Sequence, residues 1–405
     1  MRRLIVVLSL SCVLILILSS SAIARPGWKR DLDRIMRNKP TGLHVRDQGK
    51  TLYSRSAETK RIPASNQKLL LSMALLDRLE PDTRLATSAL GQRVRSGTLR
   101  GNLYVIGRGD PTLSSGGSFA RSLPLKSTYL GRLARKIKKS GIRRIKGRVV
   151  GARTYFAHDW WASGWKSSFP ANYVALPAAL NINGNTYKGR HISNPEWKLA
   201  VTLTERLRAL GVRVGGKPKS GGVPPDYAHN RIAKVLSPRL ESMVRYMNRK
   251  SNNFFAEVLG KLLDAERSGP PGTIAKGAGG IRAWAARYNV RVSAHDSSGL
   301  SSSNRVSPKG LTRLLGVALK QPWGKRLRSS LPTGGEGTLE DRLRGARVRA
   351  KTGTLDGVST LSGWVRLKRA GTWAEFSIMS RGMSKARAVQ IEDRIVRLLR
   401  KRARL

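Results

Sequence analysis

Hydrophobic and polar positions along the chain change period several times, and each change marks an element. From Thr41 to Asp47 they alternate, as in a strand. Gln48-Gly49-Lys50 then turns the chain into a second strand, Thr51-Leu52-Tyr53-Ser54. Ahead of this hairpin, Gly27 to Asn38 sets Leu32, Ile35 and Met36 on one side of a short helix. Behind it, Ser65 opens an apolar helix, with Leu69-Leu70-Leu71-Ser72-Met73-Ala74-Leu75-Leu76 as its body and a stop near Glu80-Pro81-Asp82. At the far end Val348 to Thr352, Ser359 to Val365 and Thr372 to Met379 read as strands. Lys385 to Leu399 is an amphipathic helix with Val389, Ile391, Ile395, Val396, Leu398 and Leu399. It runs into Arg400-Lys401-Arg402-Ala403-Arg404, a solvated basic end that also suits an anionic surface.

Between these ends the texture differs. Gly101 to Leu113 is a strand ending in a turn, Leu130 to Ser140 a very basic helix, Arg144 to Arg153 strand-like, and Leu199 to Leu210 a helix. Gly164 to Tyr187 is rich in aromatics, Pro, Asn and Gly, and Gly215 to Pro225 reads as a linker. Residues 84–231 are therefore expected to be an insertion, in one or more domains, that splits a catalytic domain of residues 25–83 and 232–405. The second part begins with helices over Glu241 to Met247 and Asn252 to Asp264. A loose loop is expected from Gly269 to Gly280, then helices over Gly280 to Tyr288 and Ser307 to Leu319, with the polar loop His295-Asp296-Ser297-Ser298-Gly299-Leu300 between them.

Charge and the N-terminus narrow the setting. Against 77 Lys and Arg stand 24 Asp and Glu, a formal charge of +53, which implies an anionic partner such as a nucleic acid, an anionic membrane face or a cell-wall polymer. Met1-Arg2-Arg3, an apolar core from Leu4 to Leu18 and Ala22-Ile23-Ala24 are expected to form a signal peptide over residues 1–24, with an uncleaved anchor as the alternative. Export across the cytoplasmic membrane, to the periplasm or cell wall, removes nucleic acid as a partner and favours anionic envelope polymers or the membrane surface. The one cysteine, Cys12, lies inside this segment, so no disulfide is expected in the mature chain.

Three short stretches carry candidate chemistry. Ser65 and Lys68 are three apart, so on a helix a hydroxyl and an amine share one face as nucleophile and base, beside the positive end of the helix dipole. Ser251-Asn252-Asn253 opens a second helix, and Lys351-Thr352-Gly353-Thr354 begins or interrupts a strand where Gly353 lets a substrate backbone come close. Each alone is weak, since an N-cap serine, polar filler and a turn would explain them. Ser163-Gly164-Trp165-Lys166, Ser302-Ser303-Asn304, Lys139-Ser140-Gly141 and Lys219-Ser220-Gly221 show how easily such fragments arise. Together, in the order S-x-x-K, S-x-N, K-T-G, they form the serine acyl-transferase set of penicillin-binding proteins and β-lactamases. The five histidines have no metal-binding spacing, His295-Asp296 lacks a nucleophile elbow, and neither a metal nor a cofactor is expected. Trp160, Trp161 and Trp165 suit either packing of the insertion or a glycan platform.

With about 180 residues between the first two motifs, the chain resembles the low-molecular-mass class C penicillin-binding proteins, the D-alanyl-D-alanine carboxypeptidase/endopeptidase (penicillin-binding protein 4) type. Gly107-Arg108-Gly109-Asp110-Pro111-Thr112-Leu113, Asp296-Ser297-Ser298-Gly299-Leu300 and Gly335-Glu336-Gly337-Thr338-Leu339 support the resemblance. Glu336 departs from the family's frequent Asp. The resemblance implies an α+β penicilloyl-serine-transferase (β-lactamase-like) fold, an antiparallel sheet with helices on both faces and an all-helical lobe. It also implies hydrolysis of the D-Ala–D-Ala bond of peptidoglycan stem peptides, with D,D-endopeptidase as a second activity and β-lactams as covalent inhibitors. Ser65 would be the nucleophile and a neutral Lys68 its base, its pKa lowered by a nearby Lys351 cation and by burial. Ser251 would relay the proton, Asn253 would bind the peptide amide, and Lys351, Thr352 and Thr354 the terminal carboxylate. The backbone N–H groups of Ser65 and Thr354 would hold the oxyanion. A β-lactamase or related serine esterase shares the motifs. The long insertion and the lack of an E-x-x-L-N stretch after Ser251 count against the usual β-lactamase, and complete motifs count against a non-catalytic wall-binding protein.

Overall fold

A computed structural model describes residues 26–403 apart from 93, 228 and 229. The expected signal at residues 1–24, and Arg404 of the basic tail, lie outside the described residues.

The two ends of the chain build one five-stranded antiparallel sheet. Its order is Val348–Leu355, Val358–Arg366, Trp373–Arg381, Thr41–Asp47, Lys50–Arg55. Leu43 pairs with Ile378 and Val45 with Phe376, so the first strand closes on the last. Helices Gly27–Ile35 and Lys385–Arg402 cover one face, where Leu32, Met36, Ile391, Ile395 and Leu399 pack on Leu43, Val45, Phe376 and Ile378. The helix Pro308–Leu319 lies against the other face. The alternating first strand is therefore buried on both sides: His44, opposite in sense to Leu43 and Val45, is buried and its Nδ1 lies 2.6 Å from Thr312 Oγ1 of that helix. In the Lys385–Arg402 helix Val389, expected on the apolar face, is left partly exposed, while Ile391, Ile395, Val396 and Leu399 are buried. At its end Arg402 donates to Asp31 at 2.9 Å.

Beside the sheet stands a lobe of helices around Gln67–Arg78. Every residue from Gln67 to Leu76 is buried, so this helix has no solvent face until its last two residues, Asp77 and Arg78. Each fully buried leucine in it contributes about 2 kcal/mol. Leu240–Lys250, Asn253–Ser268 and Ile274–Ala286 surround it in one continuous core.

The loose loop expected from Gly269 to Gly280 is instead largely helix, Ile274–Ala286, capped by the Thr273 side chain accepting from the Lys276 N–H. Its glycines were misleading. A Cβ on Gly277 would stand 2.4 Å from the Gly260 carbonyl oxygen, so glycine there is the contact surface between two closely packed helices. The linker expected from Gly215 to Pro225 likewise contains a strand, Lys219–Gly221, paired parallel to Val149–Ala152. The helix read from Leu199 starts earlier, at Pro195, because Asn194 caps it by accepting from Trp197 N–H at 3.0 Å.

A second five-stranded sheet, in the order Lys219–Gly221, Val149–Ala152, Leu103–Gly107, Ala86–Leu90, Arg231–Leu236, is built from the middle of the chain. The basic helix Leu130–Lys139 packs on it through Leu130, Leu133, Ala134 and Ile137, leaving its Arg and most of its Lys side chains outward. From this sheet the chain makes an excursion over the helical lobe. There the buried Lys261 Nζ donates to the carbonyls of Ala157 (2.9 Å), Asp159 (2.8 Å) and Pro177 (3.0 Å) and pairs with Asp159 at 2.6 Å. A buried cation with four oxygen partners pins the excursion to the lobe.

Candidate active site

Ser65 does not cap its helix. It lies in a single 3-10 turn, Ala64–Asn66, that feeds the helix beginning at Gln67, and Ala64 is held at φ +46°. The turn is gripped from two sides. A Cβ on Gly299 would be 1.9 Å from the Ala64 carbonyl oxygen. A Cβ on Gly353 would be 2.3 Å from Thr360 Oγ1 and 3.0 Å from the Ser65 nitrogen. Both glycines therefore allow backbone to abut the turn.

Lys68, one turn on, is fully buried, and its Nζ donates to Ser65 Oγ at 3.1 Å, to Asn253 Oδ1 at 2.8 Å and to the Ser298 carbonyl at 2.5 Å. Burial lowers its pKa to about 8, against the charges of Asp296 and Glu257, which raise it.

Ser251 is not an N-cap either. It ends the helix Leu240–Lys250 in the left-handed region, φ +53°, and Asn252 caps the next helix by accepting from Phe255 N–H at 2.9 Å. This corner projects Ser251 and Asn253 from one short stretch to different partners. Asn253 meets Lys68, and its Nδ2 donates to the Tyr173 carbonyl at 3.3 Å, while Ser251 Oγ accepts from Lys351 Nζ at 2.8 Å.

Lys351 stands on an edge strand of the first sheet, fully buried, and also donates to the Thr352 carbonyl at 2.8 Å. Burial first, then the charge of Lys68, holds its pKa well below the usual lysine range. The expected arrangement, a Lys351 cation lowering Lys68, is thus reversed in emphasis, since Lys351 itself is pushed toward neutrality. Thr352 Oγ1 donates to Thr338 Oγ1 at 2.8 Å, and Thr354 is exposed at the end of the strand. The fold brings Ser65, Lys68, Ser251, Asn253, Lys351, Thr352 and Gly353 to one cleft between sheet and lobe.

Beneath the cleft is a layer the motif reading did not assign. Asp296 accepts from Trp165 Nε1 (2.8 Å), Asn304 Nδ2 (2.7 Å), Ser298 Oγ (3.2 Å) and the N–H groups of Ser301 (2.7 Å) and Gly299 (3.0 Å). Glu257, fully buried, accepts from Ser298 N–H at 2.7 Å and Ser297 N–H at 3.1 Å, and burial, then the Asp296 charge, pushes its pKa up to about 8. Asp296 and Glu257 thereby fix the loop whose Ser298 carbonyl receives Lys68. Glu257 follows Asn253 by four residues, on the same helical face, in an otherwise apolar stretch, which was a readable sign.

The look-alike motifs go elsewhere. Lys166 pairs with Asp356 at 2.5 Å, the Ser163 carbonyl accepts from Ser301, and Asn304 serves Asp296. Trp165 is buried in support of Asp296, whereas Trp161 is exposed. Asp264 caps the Thr273 N–H and Glu266 pairs with Arg108, so neither reaches Ser65. Among the described residues no cluster of His, Cys, Asp and Glu could hold a metal ion, and no helix is long and apolar enough to cross a membrane.

Comparison with known proteins gives a consistent set. The family model for the D-Ala-D-Ala carboxypeptidase 3 (S13) family matches residues 31–196 and 187–402. The D-alanyl-D-alanine carboxypeptidase of Actinomadura sp. (strain R39) is 28% identical over 465 residues, covering 91% of this chain and 83% of that protein. A carboxypeptidase of Mycolicibacterium smegmatis is 27% identical over 385 residues, covering 90% of this chain and 82% of that protein. Among solved structures, penicillin binding protein 4 from Haemophilus influenzae superposes with a TM-score of 0.78 at 22% identity, covering 93% of this chain and 100% of that one, which shows a shared fold. That protein has also been solved in complex with a β-lactam.

Proposed function

Because the chain belongs to the D-Ala-D-Ala carboxypeptidase 3 (S13) family, we propose that its serine carboxypeptidase activity on peptidoglycan peptides is carried out in the Ser65 cleft, with D,D-endopeptidase cleavage of cross-links as a second activity at the same site. β-Lactams acylate the same serine.

The observation that carries this reading is the 3.1 Å contact between Lys68 Nζ and Ser65 Oγ, with Asn253 on the same ammonium group and the Lys351–Ser251 pair beside it. A neutral Lys68 takes the Ser65 proton as Oγ attacks the penultimate carbonyl. The Ser65 and Thr354 N–H groups receive the oxyanion. Ser251, bonded to Lys351, passes the proton to the leaving amine as the C–N bond breaks. Lys351, Thr352 and Thr354 hold the terminal carboxylate, and Asn253 the peptide amide. Water then cleaves the ester and restores Ser65.

The protein works at the periplasm or cell wall. Export by residues 1–24, and attraction of the mature chain's large positive charge to anionic envelope polymers or the membrane surface, belong to the same proposal. So does the division into a catalytic domain and an inserted unit, residues 84–231, whose sheet is completed by the strand Arg231–Leu236. The test is mass spectrometry after mixing with benzylpenicillin. A lasting penicilloyl adduct on Ser65 is expected. An adduct at another serine, or rapid penicillin turnover without one, would overturn the assignment.

A further inference from the structure

Two large cavities meet at Tyr246. One, of about 820 Å³, is lined by Tyr173, Asn252 and Asn253 and so lies on the side where the proposed reading places the acyl part of the substrate. The other, of about 910 Å³, is lined by Arg249 and Lys250, which immediately precede Ser251, and by Glu336 and Gly337, which immediately precede Thr338. Its wall thus ends on the residues that lead into Ser251 and Thr338, the side from which the proposed reading has the amine depart.

The second cavity is a concentrated cation field. Seven of its eighteen lining residues are Lys or Arg, and Glu336 is its single carboxylate. The basic groups come from four separate places: Arg84, which donates to the Ser237 carbonyl, Lys126 on a loop, Arg132 on the helix Leu130–Lys139, and Arg239, Arg245, Arg249 and Lys250 at or along the helix Leu240–Lys250. Arg239 is matched by Asp82 at 2.9 Å, and Arg249 lies 3.5 Å from Glu336. Lys126, Arg132, Arg245 and Lys250 are exposed and pair with no carboxylate among the described residues. Unmatched cations facing one cleft repel each other and focus a field that an anion would relieve. Arginine forks also suit carboxylates geometrically.

We propose that this basic cleft is a leaving-side subsite for an acidic peptide strand, the carboxylate-bearing stem that departs when a cross-linked peptide is cleaved. The proposal rests on the reading of the Ser65 cleft given above. Arg249 and Lys250 bring this cation field up to Ser251 along the chain. An occupant covalently joined to the scissile bond is held in register by them, whereas a free polymer needs no such continuity. The chemistry is unchanged: the Ser65 Oγ–C bond forms, the C–N bond breaks, the proton from Ser65 goes to the leaving strand's nitrogen, and water hydrolyses the ester.

The test uses the full chain as Ser65→Ala, which binds without turnover, and two amide-linked peptide dimers. One has free carboxylates on the leaving-side strand and the other has those carboxylates amidated. By fluorescence anisotropy at fixed ionic strength, amidation is expected to weaken binding at least tenfold. Adding Lys126→Gln, Arg132→Gln and Arg245→Gln is expected to weaken the acidic dimer to a similar degree and to leave the amidated dimer within twofold. Equal affinity for the two dimers, or an equal loss on both in the triple variant, overturns the proposal. So does a triple variant that loses only its binding to polyphosphate or anionic vesicles, since the cleft would then serve a polymer. In the Ser65 background, the penicillin adduct on the triple variant reports intact folding. Absence of that adduct from the unmodified protein would sink the functional reading itself, whereas its presence with indifferent dimers would sink only the subsite.

Discussion

Lys68 and Lys351 are both fully buried and face the same cleft, yet their surroundings differ. Lys68, on a helix, has three acceptors and lies in the field of two carboxylates, Glu257 and Asp296, so burial takes it down only to about 8. Lys351, on an edge strand, has among the described residues only Ser251 Oγ and the Thr352 carbonyl as acceptors, and the charge that reaches it, from Lys68, is of its own sign. Equal burial therefore leaves one amine close to the working pH and drives the other far below its usual range. The difference suits a division of labour. Lys68 can give up and regain a proton within the cycle. Among the described residues no carboxylate pairs with Lys351, and an arriving substrate carboxylate would raise its pKa.

The largest expected effect removes what Lys68 serves. Ser65→Ala should lower hydrolysis of a D-Ala–D-Ala peptide by about 10,000-fold or more and abolish the penicillin adduct. Because that hydroxyl is only half-buried, the thermal midpoint should barely move, and turnover near the original rate by the folded variant would remove Ser65 from the scheme.

Next comes Lys68→Met, which keeps the apolar stem and deletes the base. Second-order acylation by benzylpenicillin should fall about 100- to 10,000-fold. The comparison breaks if Lys351→Met behaves in the same way. The expected result for Lys351→Met is selective, with kcat/KM falling roughly tenfold or more for a peptide with a free C-terminal carboxylate and clearly less for its C-terminal amide. Equal losses on both would mean that Lys351 acts on the chemistry rather than on the carboxylate.

Much of this pair was legible in the sequence, for local reasons. The three-residue interval between Ser65 and Lys68 is a short-range geometric fact, and the apolar run behind it predicted a buried helix. The strands at the two chain ends announced themselves by period, although their pairing into one sheet, Leu43 with Ile378, is a long-range fact that periodicity does not carry. Glycine was the main source of error. Gly277 and Gly279 read as a loop, whereas they sit in the helix Ile274–Ala286, with Gly277 marking a helix contact too close for a Cβ. The supporting layer was partly visible: Asp296 lay in a quoted stretch, but nothing local said that its carboxylate collects Trp165 from 131 positions away. The four-residue interval from Asn253 puts Glu257 on the helix face that meets Lys68, but an acid in a helix is usually solvent-facing, and its full burial is a fact of packing.

The smallest expected effect sharpens the comparison most, because it tests the carboxylates that distinguish the two lysines. If neutral Lys68 is the base, acylation should rise with pH through about 8 and level off above it. With a pKa there, about a tenth of the lysine is neutral at pH 7 and about nine-tenths at pH 9. The Glu257 charge raises the Lys68 pKa, so removing it should lower that pKa and move the rising limb to lower pH. Glu257→Gln is the suitable change. The amide oxygen can still accept from Ser297 and Ser298 N–H, so the loop under Lys68 keeps its anchor. Glu257 itself titrates near 8, so it is only partly ionised across the window, and the shift should be modest, roughly half to one pH unit. The measurement is the pH profile of the second-order rate of acylation by benzylpenicillin, with the thermal midpoint followed alongside. A limb displaced downward with the plateau retained identifies Glu257 as a group that tunes Lys68 by its charge. A lower plateau with the limb unmoved would make it a packing residue only, and the contrast with Lys351 would then rest on Asp296 alone.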